Sequence, residues 1–325
     1  MGIPPLEFDT IHQMAISATL SRRDLLRSTA LLAVPAAAMP RPLLLSIFSK
    51  HLQFVKDEEL ATTARDIGFE GVDLTVRPGG HVLPATVETD LPRLVEIIRK
   101  RGLEVQMVTT DIAAIDPVSE KVLRTLARLG IRYYRWGGLK YNEAQSPQDQ
   151  IASLKPKIMK LAELNQKLGL CGMYHTHSGA GQLGNGFWDL HMLFEGMPKD
   201  AIGTNYDIGH ATIEGGAGGW ITSTRMNLAG GMKGIAVKDF IWKQGPKGWE
   251  AKWAPLGEGM VKIPQFLAMV AKSNFSGPVQ VHYEYPLGGA DKGATTLTME
   301  RAAVITAMRK DLVQLRTWMA DVKLR

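Results

Sequence analysis

Eight short β-rich runs alternate with helix-patterned stretches along most of the chain, and no other feature restricts the fold as tightly. The runs lie at 43–47, 71–76, 103–108, 131–136, 170–175, 202–207, 234–237 and 278–284. They begin about 28 to 45 residues apart, the length of one strand-plus-helix unit. Helix signals fall between them. Asp57, Glu58 and Glu59 put acidic charge in the first turn of a helix that Gly68 ends. Ser146-Pro147 opens another, with Leu154, Ile158, Leu161 and Leu164 at helical spacing and an end near Gly169. A third starts at Thr89-Asp90-Leu91-Pro92 and closes at Gly102.

Strands that alternate with helices form a parallel sheet. Eight units in about 250 residues fit a closed (β/α)8 barrel, the TIM-barrel α/β class, better than an open doubly wound sheet. The doubly wound fold places a Gly-rich phosphate loop after its first strand. Here that turn is Ser46-Ile47-Phe48-Ser49-Lys50-His51, without glycine. A Gly-x-Gly-x-x-Gly string at Gly179, Gly181 and Gly184 follows the fifth run and is read as a βα loop, not a nucleotide site. No linker breaks the chain after residue 40, so residues 39–325 are expected to form one barrel domain.

Residues 1–38 read as an export signal instead. Arg22-Arg23 precedes the mildly apolar run from Ser28, which ends Val34-Pro35-Ala36-Ala37-Ala38. The run is shorter than the about 20 residues needed to span a bilayer. An Arg pair at this place is the twin-arginine pattern, which predicts a periplasmic or secreted protein. The single cysteine, Cys171, cannot form an intramolecular disulfide. Composition is ordinary for a globular protein, with 45% hydrophobic and 22% charged residues. The net charge of +6 is scattered, with no run of five like charges. Neither a nucleic-acid partner nor stable membrane insertion is expected.

A barrel carries its chemistry at the C-terminal ends of its strands, and the unusual polar residues cluster there. The fifth run ends His175-Thr176-His177, the sixth Asp207-Ile208-Gly209-His210, the seventh Lys238-Asp239, and the eighth His282-Tyr283-Glu284. Side chains alternate along a strand, so His175 and His177 share a face, as do His282 and Glu284. Imidazoles beside carboxylates are a ligand set for Zn, Mn, Co or Fe. The second run adds Asp73, Thr75 and Arg77 on one face, with His81 just beyond, and the fourth adds Arg135. Guanidinium groups suit a planar anion or a polyhydroxyl substrate, unless Arg77 and Arg135 pair internally with Asp73 or Asp111.

Five stretches together resemble the sugar phosphate isomerase/epimerase-like family with a xylose-isomerase-like barrel, a group that includes inosose dehydratases. They are Gly68-Phe69-Glu70-Gly71-Val72-Asp73-Leu74, Tyr174-His175-Thr176-His177, Tyr206-Asp207-Ile208-Gly209-His210, Lys238-Asp239, and Pro255-Leu256-Gly257-Glu258-Gly259 with Glu284. The resemblance implies a divalent metal (Mn, Co, Zn or Mg) held by His175, Asp207 and Glu284. It places a fourth ligand, a histidine, where this chain has Ala236. It also implies a small carbohydrate substrate, gripped by Arg77, His81, Arg135, His210 and His282. Glu284 or His177 would remove a proton beside a carbonyl while Lys238 stabilises the enolate. Family epimerases use two carboxylates, and His175 in place of the first looks more like the dehydratase branch. The expected activity is thus a sugar isomerase or epimerase. The alternatives are a keto-sugar lyase or, given Ala236, a non-catalytic sugar-binding barrel.

Overall fold

The computed structural model describes residues 43–246 and 248–324. Eight parallel strands close a barrel: β1 (Leu45–Phe48), β2 (Gly71–Val76), β3 (Glu104–Thr110), β4 (Tyr133–Trp136), β5 (Cys171–His175), β6 (Ile202–Asp207), β7 (Met232–Val237) and, after an inserted hairpin, β10 (Val279–Val281). β1 pairs with both β2 and β10, which completes the ring. The (β/α)8 expectation is met. The signal-peptide reading of residues 1–38 lies outside the described residues.

Local signals in the sequence set the helix ends. Helix Asp57–Ile67 stops at Gly68, whose φ of 113° gives the left-handed cap that a β-carbon would strain. Ser146 caps helix Pro147–Leu168 by accepting from the Asp149 amide at 3.1 Å. The third predicted helix runs Val87–Lys100, starting two residues before Thr89. Along the strands, alternate side chains divide between two cores. Met107, Cys171 and Met173 pack with Tyr133 in one small cluster. The large cluster includes Tyr134, Trp136, Tyr174 and Tyr206, packed with residues of the surrounding helices.

Two features differ from the sequence reading. The eighth barrel strand is only Val279–Val281, so His282 and Glu284 stand just beyond its end. In addition β8 (Asp239–Gly245) and β9 (Gly248–Ala254) form an antiparallel hairpin between β7 and β10. The apolar runs that mark buried parallel strands do not mark this pair: Trp249, Ala251 and Trp253 alternate with Glu250 and Lys252, the pattern of a half-exposed antiparallel strand.

Asp239 fastens this hairpin to the barrel. Its carboxylate accepts from the backbone amides of Phe240, Gly257, Gly259 and Val261 at 2.9 to 3.1 Å. A β-carbon at Gly259 would lie 2.0 Å from Asp239 Oδ1, so glycine is needed for the close approach. Removing the carboxylate strands these donors, each worth about 1–3 kcal/mol when buried. Asp239→Ala is expected to lower the unfolding free energy by about 3 kcal/mol in urea titration, with Asp239→Asn falling between it and wild type. A loss below about 0.5 kcal/mol would show that the amides find other partners.

Candidate active site

Lys238 follows β7 and drives its ammonium into the barrel mouth, where its side chain is only 2% exposed. Nζ lies 3.0 Å from Glu284 Oε2, 3.1 Å from Asp207 Oδ2 and 2.7 Å from His210 Nε2. Trp253, carried in by β9, covers the same ammonium with its ring centroid at 4.0 Å. Such a buried charge persists only where counter-charges surround it. Lys50, after β1, adds a second cation 3.7 Å from Glu284 Oε1.

The two carboxylates respond differently. Burial pushes Glu284 up, but Lys238 and then Lys50 outweigh it and hold the carboxyl well below the usual range. Burial raises Asp207 to about 6, with Lys238 and the His210 amide pulling it back only in part. Asp207 Oδ1 accepts from that amide at 3.0 Å and so caps the helix that starts at Ile208. Its Oδ2 faces the Lys238 ammonium at 3.1 Å.

Four histidines face these groups. His175 Nε2 lies 3.5 Å from Asp207 Oδ2, and the His175 ring stacks on His282 at 5.2 Å. His177 sits 4.6 Å from both His175 and His210, centroid to centroid. Burial lowers all four: His177 to about 3, and His175, His210 and His282 well below their usual value. Burial thus favours the neutral imidazoles, which are weak bases here but keep the lone pairs that a metal needs. Beneath them, Asn205 and Gln280 exchange amide hydrogen bonds across β7 at 3.2 and 3.1 Å. Asn205 Nδ2 also meets His175 Nδ1 at 3.2 Å, and Gln280 Oε1 meets His282 Nε2 at 3.4 Å. Gly234 makes this crossing feasible, since a β-carbon there would lie 2.8 Å from Met173 Sδ and 3.0 Å from Asn205 Oδ1.

The structure therefore gathers His175, His177, Asp207, His210, Lys238, His282 and Glu284. It places His81 apart from them. Both His81 ring nitrogens are engaged, with Thr75 Oγ1 at 3.1 Å and the Val55 carbonyl at 3.2 Å, so it holds its loop rather than facing a substrate. Several contributors escaped the sequence reading: Lys50, Phe48, Asn205, Gln280, the place of Trp253 over Lys238, and Ser178, whose Oγ lies 2.7 Å from His210 Nδ1. Ser178 directly follows His177, a signal available in the sequence. Trp253 needed the hairpin.

The ligand set implied by resemblance does not assemble as expected. Glu284 is committed to the two lysines, and Ala236 offers no donor. Among the described residues, two other groups bring ligand atoms within 4.8 Å of one another: His175, His177 and His210, and His175, Asp207 and His282. The second fits a divalent ion. His282 Nδ1 is buried without a hydrogen-bond partner, and Asp207 Oδ2, which Lys238 Nζ approaches to 3.1 Å, lies 3.5 Å from His175 Nε2. Two imidazoles and one carboxylate with open positions suit Zn, Mn, Co or Fe.

Asp73 supplies a separate test of the mouth. Thr109 Oγ1 lies 3.0 and 2.9 Å from its two oxygens. Burial nonetheless raises Asp73 from 3.8 to about 7, against the pull of Thr109, Arg135 and Arg77. Because the folded state binds this proton more tightly, its stabilising contribution is complete below pH 3.8 and lost as pH rises through about 7. Asp73→Asn should remove that slope, so its melting temperature relative to wild type rises from pH 5 to pH 8. Parallel curves would show that Asp73 is ionised throughout.

Comparison with known proteins places the barrel. The profile of the family described as Xylose isomerase-like TIM barrel matches residues 61–301. No sequence among curated proteins matches. Among solved structures, a D-tagatose 3-epimerase-like protein aligns with a TM-score of 0.64 at 13% identity, covering 86% of this chain and 98% of that one. The 3-keto-D-glucoside 4-epimerase of E. coli aligns at 0.58 and 13% identity, covering 85% and 99%. The probable 3-DHS dehydratase involved in petrobactin synthesis from Bacillus anthracis aligns at 0.59 and 15% identity, covering 83% and 99%. At these identities the structures share the fold. Matched from its first long helix to the start of its last, the chain belongs to the Xylose isomerase-like TIM barrel family.

Proposed function

We propose that this protein is an enzyme that removes a proton beside the carbonyl of a sugar or keto-sugar, as an isomerase or epimerase. One observation carries the reading: Glu284, with its side chain 21% exposed, lies 3.0 Å from the buried Lys238 ammonium at the C-terminal mouth of the barrel. Asp207 is more basic but fully buried, so Glu284 is the carboxylate a substrate carbon can reach. In the resting site Lys238 suppresses the basicity of Glu284. As enolate charge develops, the ammonium turns its hydrogen bonds toward the enolate oxygen, and Glu284 recovers its affinity for the proton. Trp253 and the buried mouth exclude water from the exchange. His175, Asp207 and His282 would hold a divalent ion, which when bound supplies Lewis-acid polarisation of the carbonyl. The structural likeness to an epimerase and to an epimerase-like protein supports the reaction class.

A lyase is the second reading, because the wall beside Glu284 carries His177 and His210 in place of a second carboxylate. Elimination needs one base and a group that assists the leaving oxygen, and half-buried His177, neutral, can offer it a ring N–H hydrogen bond. The likeness to a dehydratase supports it. The Arg22-Arg23 pair with its apolar run supports export, so that the enzyme works in the periplasm or outside the cell on unphosphorylated carbohydrate.

Incubating the protein with keto-sugars and glycosides in D2O, read by NMR, tests the proposal. Deuterium should enter at the carbon beside the carbonyl, with exchange in Glu284→Gln and Lys238→Met slowed by about 100-fold or more. Inversion at that carbon identifies an epimerase, and an unsaturated keto product a lyase. Exchange unaffected in both variants would refute these roles.

A further inference from the structure

Beside the Lys238 cluster lies a second feature that proton removal does not use. The guanidinium groups of Arg77 and Arg135 converge on one ring, with their Cζ atoms 5.7 and 5.9 Å from the Phe48 centroid. Phe48 in turn stacks on His282 at 4.8 Å, so the pair stands one ring's breadth from the candidate active site. Arg77 has a single carboxylate in reach, Asp111 at 3.8 Å, whose side chain is 59% exposed. Among the described residues, no carboxylate lies within 4.0 Å of the Arg135 guanidinium. Asp73 offers only partial compensation, since burial raises its carboxyl and favours the neutral form.

Two like charges gathered on one ring, both half-buried, repel each other until an anion joins them. Burial, reinforced by Arg77, lowers even Arg135 to about 10. The flat fork of arginine matches a carboxylate through two parallel hydrogen bonds.

We propose that the substrate is a sugar acid, whose carboxylate docks between Arg77 and Arg135 while its carbonyl end meets Glu284 and Lys238. The assignment of its carbonyl end rests on the proton-removal reading; the carboxylate site stands on the arginine pair alone.

Calorimetric titration of the purified protein with D-glucuronate, D-glucose, malonate and inorganic phosphate separates the two. D-glucuronate should bind at least about tenfold more tightly than D-glucose, in line with one charge-assisted contact. Malonate should bind and compete with it. Arg135→Met should abolish malonate binding and the preference for the acid, while melting no lower than wild type, because it removes an uncompensated cation. Equal binding of D-glucose and D-glucuronate, phosphate binding more tightly than malonate, no binding of any probe, or malonate binding unchanged in Arg135→Met would each overturn the proposal. Arg135-dependent malonate binding with no gain for D-glucuronate would keep the carboxylate site and refute the sugar reading.

Discussion

The ammonium of Lys238, sealed among Asp207, His210, Glu284 and the face of Trp253, is the contact on which the rest of the mouth depends. Its charge keeps Glu284 ionised and helps hold the neighbouring imidazoles neutral. The elements that place it are structural. β7 brings it to the mouth, Asp239 ties the next residues to the 257–261 loop, and the hairpin lowers Trp253 over it. The deep polar layer of Asn205 and Gln280 then sets the rings of His175 and His282 from below.

In the family as the resemblance describes it, a metal gathers acids and histidine at the barrel mouth. This chain has Ala236 where the seventh-strand histidine is expected, and an ammonium joins Asp207 to Glu284. The imidazole lost at 236 has a counterpart in His282 on the adjacent β10 end, which reaches toward His175 and Asp207. Lys238 bridges Glu284 and Asp207, and His175, beside His282, approaches the same Asp207 oxygen that the ammonium does.

The barrel was legible because buried parallel strands are short apolar runs and their helices carry strong end signals such as Gly68 and Ser146-Pro147. The gathering of His175, Asp207, Lys238, His282 and Glu284 was legible too, because a barrel brings every strand end to one rim. What alternation cannot convey is pairing. It placed Glu284 at the mouth without showing that two lysines would claim it, and it gave Arg77 and His81 the same inward promise. His81 instead braces Thr75 and Val55. The hairpin stayed hidden because its second strand, β9, alternates apolar and polar residues instead of running apolar, so its placing of Trp253 above Lys238 was hidden as well.

The central claim is electrostatic, that the Lys238 charge governs Glu284. Carbon-13 NMR titration of the Glu284 carboxyl in wild type and in Lys238→Met measures it directly. The account predicts a wild-type carboxyl that stays ionised far below the usual carboxylate range, and one that titrates markedly higher once the ammonium is gone and burial dominates. Indistinguishable titrations in the two proteins would contradict it and leave Lys238 a packing residue.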